Sequence, residues 1–185
     1  DLVNSYIKND FSSKTLKKNN IKIRGCANIS NDKKELLVGS YIPRIGMEGS
    51  VKSEGRDLIP SPYTTGLLDK FLNGKYTPAF ETARGCPFFC TFCDQGIDTT
   101  KMVSFSTKRM EAELSYVCER VTKFPGSNSI AFHDANWGMY IKDMDLTDHI
   151  LKLINEKDWP KYIEISTPKN KRQQILDIDN KLKNR

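Results

Sequence analysis

The sequence predicts an α/β protein built on a parallel sheet, and three observations carry that expectation. From residue 77 onward, strand-like and helix-like segments alternate three times. A cysteine-rich loop follows directly on the first of those strands. A Gly-, Ser- and Pro-rich stretch separates this series from a Lys- and Asn-rich beginning. Strand–helix alternation is the signature of βαβ units, whose parallel strands present their C-terminal ends along one edge. Loops on that edge build the sites of barrel-like α/β folds.

Taken in order, residues 1–45 mix a basic, Asn-rich opening with two short strand-like pieces, "IKIRGCANI" and "ELLVGSYI". The turn-like "SNDKKE" between them predicts a hairpin or two edge strands. Residues 46–62, "GMEGSVKSEGRDLIPSP", read as a linker or extended connection. Residues 63–74 predict a short helix, with Leu67, Leu68, Phe71 and Leu72 on one side and Gly74 as its stop. "TPAFETAR" reads as a strand leading into the cysteine loop. Residues 106–124 read as a helix starting near Ser106, with Met110, Leu114, Val117 and Val121 at helical spacing. "NSIAFHDA" is a second strand. Residues 145–157 are a second helix, with Leu146, Ile150, Leu153 and Ile154 inward. "KYIEIST" is a third strand, and "NKRQQILDIDNKLK" begins a third helix. The expected organisation is therefore 1–45 as the tail of an N-terminal domain, 46–76 as linker and short helix, and 77–185 as the first part of a core domain.

Composition narrows the function classes. Of 185 residues, 38% are hydrophobic and 28% charged, ordinary for a globular protein. No apolar run approaches the ~18–20 residues of a membrane helix. The opening "DLVNSYIKND" has neither an apolar signal region nor an initiator Met, so the start reads as internal to a longer protein. The end stops in the charged stretch "DIDNKLKNR" without a closing element. The net charge of +6 is carried by the ends. Residues 1–24 hold six Lys or Arg against two Asp, and residues 169–185 hold the same. Neither end interleaves its cations with aromatics, so solvated helices are expected there, with no nucleic-acid partner and no membrane. Five cysteines without a secretory signal argue for the cytoplasm and a metal site over a disulfide framework. Cys26 and Cys118 stand alone and are expected as small buried hydrophobes.

The chemistry lies in "ARGCPFFCTFCDQG", residues 83–96, where the spacing is Cys86-x3-Cys90-x2-Cys93. Structural zinc uses four ligands, usually as two pairs, and the second pair is missing. His133 lies forty residues beyond Cys93, and His149 is expected on the polar side of its helix, solvated. A redox Cys-x-x-Cys would leave Cys86 without a role. Iron–sulfur ligation fits better, because three thiolates on a four-iron cluster leave one iron open to a non-protein ligand. Phe88, Phe89 and Phe92 would shield such a cluster. Gly85 would let the backbone turn closely at the strand end.

Three cysteines at this spacing, with an aromatic just before the third, resemble the cluster loop of the radical S-adenosylmethionine (radical SAM) superfamily. The resemblance runs from residue 77 to 185 and implies the first βα units of that family's partial (β/α) barrel. Upstream, "LIPSPYTTGLLDKFLNGKYTP" is similar to the segment before the barrel in the subgroup with an N-terminal cobalamin-binding domain.

The resemblance implies roles. Cys86, Cys90 and Cys93 would ligate a [4Fe-4S] cluster whose fourth iron chelates S-adenosylmethionine, with Phe92 against the adenine. Reductive cleavage would yield a 5′-deoxyadenosyl radical acting on a small-molecule substrate that the sequence does not identify. The electron would come from a donor such as flavodoxin or ferredoxin. Cobalamin as a cofactor of the full-length protein follows from the subgroup, not from any ligand residue here. After the second strand the family holds the methionyl amino group with a polar or Gly-Gly-Glu-like turn. Here that place reads "HDANWG", making Asp134 and Asn136 the candidates. The same two residues are equally suited to capping a turn or the next helix. Two other readings stay open. One is a non-catalytic zinc or iron–sulfur module, with a fourth ligand from His133 or Cys118. The other is a methylthiotransferase, for which Cys26 and Cys118 are too few to hold a second cluster.

Overall fold

The computed structural model describes residues 2–42, 55–93 and 102–184. These fall into two compact units, residues 2–42 and residues 55–184. Residues 46–54 of the expected linker lie outside the described residues. Among the described residues no helix is long and apolar enough to cross a membrane.

In the first unit, α1 (Leu2–Lys8) and α2 (Ser13–Lys18) precede a hairpin of β1 (Ala27–Ile29) and β2 (Leu36–Val38). Ser12 caps α2 by accepting from Thr15 N at 3.3 Å. The antiparallel register pairs Ala27 with Val38 and Ile29 with Leu36. Its turn is held by side chains. Ser30 Oγ donates to Asp32 Oδ1 at 2.5 Å and accepts from Glu35 N at 3.0 Å. Leu16, Ile23 and Leu37 supply the buried apolar residues. Cys26 is half-buried rather than fully enclosed.

In the second unit, β3 (Ala79–Phe80), β6 (Ser129–Phe132) and β7 (Tyr162–Glu164) form a parallel sheet with β6 central. Ala79 sits opposite Ala131, and Ile130 opposite Ile163. Helix α3 (Thr107–Val121) lies between β3 and β6 in the chain, and α4 (Ile141–Lys157) between β6 and β7; α5 (Arg172–Lys183) follows. This is the mixed α/β architecture with a parallel sheet that the alternation predicts. Ser106 caps α3, its hydroxyl accepting from Arg109 N at 3.2 Å. Met110, Leu114, Val117 and Val121 are buried as their spacing requires, each worth ~1.5–3 kcal/mol relative to exposure. Cys118 joins them at 1% exposure, and burial pushes its thiol up to about 11.

Three elements differ from the sequence reading. Residues 63–74 form successive turns with one 3₁₀ turn at Asp69–Phe71, not an α-helix. Gly66 takes φ +76, which breaks the helical path, and Leu67 is left 71% exposed while Leu72 and Tyr63 are buried. Tyr63 closes the open side of β3: its hydroxyl donates to Ala79 O at 2.7 Å and accepts from Ala79 N at 3.1 Å. Both groups of that edge residue are thereby satisfied. Next, "TPAFETAR" is two strands. After β3 the chain turns at Glu81–Thr82 into β4 (Ala83–Arg84), which pairs antiparallel with β5 (Val103–Ser104). Finally, α4 starts four residues before the expected 145. Asp143, third in the helix, reaches back to accept from Tyr140 N and Gly138 N, both at 2.9 Å.

The core centres on an aromatic ladder. Tyr63 packs on Phe80 at 5.1 Å, Phe80 on Phe132 at 5.7 Å, and Phe132 stacks on Trp137 at 4.0 Å. It runs from the clip on β3 across β6 to the loop after β6.

Candidate metal centre

The three strands of the parallel sheet end on one side, and the segments that follow them meet there. The loop after β3 and β4 carries the cysteines. Gly85 opens it at φ +100, a conformation that a Cβ disfavours, so the chain can leave β4 sharply. Beneath it lies Asp134, just past β6 and 5% exposed. Its Oδ2 accepts from Thr82 N at 2.9 Å. Its Oδ1 accepts from Thr82 Oγ1 at 2.7 Å and Ala83 N at 2.5 Å. This carboxylate ties β6 to the turn between β3 and β4, and Lys142 Nζ donates to Thr82 O of the same turn at 3.0 Å. Burial raises the Asp134 carboxyl above its ordinary value, against the lowering effect of the Thr82 and Ala83 bonds and the Lys142 charge.

The loop after β6 is fixed by Trp137, 2% exposed, whose ring stacks on Phe132 and whose backbone N–H donates to Ser166 O at 2.9 Å. Gly138 at φ +90 then turns the chain into α4. That rigid turn presents Asn136, whose Nδ2 donates to Cys86 Sγ at 3.2 Å. The segment after β7 supplies Lys169. Its Nζ lies 3.4 Å from Cys90 Sγ and 4.6 Å from the centre of the Phe92 ring. Three successive strand ends thus contribute to one place: cysteines from the first, an amide from the second, an ammonium group from the third.

Cys86 and Cys90 are half-buried and Cys93 is exposed; none is in a disulfide. Cys93 N donates to Cys90 O at 3.1 Å, making the second and third cysteines part of one turn. Among the described residues no three His, Cys, Asp or Glu side chains converge as a metal-binding group. The three cysteines therefore share a loop without being closed around a point. Phe92 is 81% and Phe89 71% exposed, so these two rings do not enclose the loop.

The donor set nevertheless fits a thiolate-held cluster. Hydrogen-bond donors face the Cys86 and Cys90 sulfurs, the environment that such clusters use. A third is waiting. Tyr140 Oη is buried and has no hydrogen-bond partner among the described residues. Burial, then the charges of Cys86, Asp143 and Asp134, hold that hydroxyl protonated above its ordinary range. It is a donor without an acceptor among the described residues. A buried orphan of this kind is costly unless something accepts from it.

Other sequence candidates lie elsewhere. Cys118 is enclosed in the core on α3. His149 is not solvated: it is half-buried, with Nε2 2.9 Å from Ser115 Oγ of α3. Burial, its largest influence, lowers its pKa. Lys169 was not singled out by sequence reasoning. Its one signal is position, the first cation after the third strand.

The chain is similar in fold to a radical SAM enzyme, the cobalamin-dependent OxsB solved with aqua-cobalamin and S-adenosylmethionine bound. The TM-score is 0.53 at 13% identity, over 96% of this chain and 24% of that one. Among curated proteins it resembles the cobalamin-dependent radical SAM methyltransferase TokK of Streptomyces tokunonensis. The two are 25% identical over 126 residues, 64% of this chain. It also resembles the 2-(S-pantetheinyl)-carbapenam-3-carboxylate methyltransferase of Streptantibioticus cattleyicolor, 26% identical over 126 residues and 64% of this chain. The matches span 18% of the length of each curated relative. No family model matches the chain. TokK and OxsB are by name cobalamin-dependent radical SAM proteins, and the other relative is by name a methyltransferase.

Proposed function

We propose that this chain forms part of a cobalamin-dependent radical SAM enzyme, and that the cysteine loop is its cluster site. Cys86, Cys90 and Cys93 are the ligands of a [4Fe-4S] cluster in this reading. When bound, the cluster supplies the electron for reductive cleavage of S-adenosylmethionine. The strands β3, β6 and β7 are the first of a partial (β/α) barrel. Residues 1–45 are the tail of an N-terminal domain and 46–76 the connection to the core. Methyl transfer, with cobalamin in the full-length protein, is the reaction class that the relatives' names favour. The substrate is a small molecule, and an electron donor such as flavodoxin or ferredoxin supplies the reducing equivalent.

The observation that carries the reading is the meeting of three strand-end segments, with Asn136 and Lys169 aimed at two cysteine sulfurs. Each residue then has a task. Asn136 holds Cys86 through its amide, and its carbonyl oxygen is left to accept from the ammonium group of S-adenosylmethionine. Asp134 accepts three bonds from Thr82 and Ala83, so it serves chiefly as the strut under the loop, with one acceptor position remaining. Phe92, exposed on the loop, offers a face for the adenine ring.

The test is anaerobic iron–sulfur reconstitution, followed by electron paramagnetic resonance of the reduced protein with and without S-adenosylmethionine. A cubane signal that changes on addition is expected. Tightly held zinc, or a cluster whose signal ignores S-adenosylmethionine, would overturn the reading.

A further inference from the structure

We propose that the ammonium group of Lys169, seated beside the cysteine loop, raises the reduction potential of a cluster held there. The inference rests on the cluster reading above. It assigns to the segment after β7 a role that neither the sequence motif nor the named relatives specify.

Three features carry it. The backbone that bears Lys169 is anchored on both sides of Thr167: Ser166 O accepts from Trp137 N at 2.9 Å, and Pro168 is buried. The start of the side chain's reach is therefore set by the core, although the residue itself is exposed. The ammonium group then rests between two members of the cysteine turn, 3.4 Å from Cys90 Sγ and 4.6 Å from the Phe92 ring centre. A cation over an aromatic face is held there by the ring's quadrupole, which offsets part of the entropy of ordering a long lysine stem. Third, the placement is asymmetric. Cys86 faces a neutral amide while Cys90 faces a full positive charge.

The consequence follows from charge. A cluster gains one negative charge on reduction. A cation beside a ligand sulfur stabilises the reduced form more than the oxidised form, and a hydrogen bond to that sulfur acts in the same direction. Removing the charge must lower the potential. Because Lys169 is solvent-exposed, added salt must weaken its influence.

The experiment is a redox titration of the reconstituted intact protein, monitored by electron paramagnetic resonance, for wild type, K169R, K169Q and K169M. Iron and sulfide are measured on each sample. In K169Q and K169M the one-electron equilibrium should shift about tenfold toward the oxidised cluster, ~59 mV to the negative. K169R should stay at the wild-type value. Iron content should be equal in all four, since Lys169 is no ligand, and the gap between wild type and K169Q should narrow at high salt. A midpoint in K169M equal to wild type overturns the proposal and leaves the cluster reading intact. Loss of iron from K169Q also overturns it, because Lys169 would then act on assembly. A wild-type protein that takes up no cluster removes this inference and the proposed function together.

Discussion

Replacing Asp134 with Ala should destabilise the second unit by ~3–4 kcal/mol, as judged from unsatisfied buried donors. The carboxylate accepts from Thr82 N, Thr82 Oγ1 and Ala83 N at 2.5–2.9 Å, and Thr82 is fully buried at 0% exposure. Each donor left without a partner costs about 1–3 kcal/mol. Two effects reduce the sum. The carboxylate's own burial is unfavourable, as its raised pKa records. A water can also enter the vacated polar space and satisfy some of the donors. Asn at this position keeps one oxygen acceptor but turns an amide N–H₂ toward a donor, so its cost should fall between wild type and Ala. Urea unfolding followed by circular dichroism measures the difference, with the slope checked for two-state behaviour. The same variant should bind less iron, because the turn from which the cysteine loop departs loses its strut. A loss below about 1 kcal/mol would refute the reasoning, since water or a relaxed turn would then replace the carboxylate fully. The raised pKa adds a pH signature. Stability from this group is fully present below the ordinary value of 3.8 and is lost as pH rises through the folded value. The advantage of wild type over Asp134→Asn should therefore shrink as pH rises from that point.

Ala at Cys86, Cys90 or Cys93 should abolish iron binding on reconstitution, whereas Cys118→Ala should retain it; iron retained by Cys90→Ala would exclude that ligand. Trp137→Ala removes the end of the aromatic ladder and should cost ~3–5 kcal/mol in urea unfolding; unchanged stability would mean that the loop after β6 is held by its backbone alone. His149, depressed by burial between α3 and α4, contributes stability that is present above its ordinary value of 6.5 and lost as pH falls through the folded value. His149→Gln should flatten that part of the stability profile, and a wild-type profile identical to the variant's would rule the contribution out.

Much of the frame was legible because it is local. The helix with Met110, Leu114, Val117 and Val121 declares itself by spacing, and Ser106 by its place before it. The hairpin declares itself by the turn residues between two apolar pieces. The cysteine loop, its position after a strand, and the close backbone turn expected of Gly85 needed no partner from elsewhere in the chain. Periodicity, capping and turn chemistry act within a few residues, so they are written in sequence order.

What tertiary structure decided is long-range. Asp134 meets Thr82 across 52 positions, Asn136 meets Cys86 across 50, and Lys169 meets Cys90 across 79. Each pairing exists because parallel strands bring their following segments to one edge, and no local pattern encodes which side chain lands beside which sulfur. The expected helix at 63–74 failed for the same reason. A hydrophobic cluster at nearly helical spacing was overridden by Gly66 and by the gain from fitting Tyr63 onto the open side of β3. The early start of α4 rests on Asp143 reaching back to Gly138 and Tyr140, a bond whose worth depends on the burial that the sheet and the neighbouring helix provide. Sequence alone placed three cysteines in one loop after a strand; the packing of the strands on one another decided which donors surround that loop.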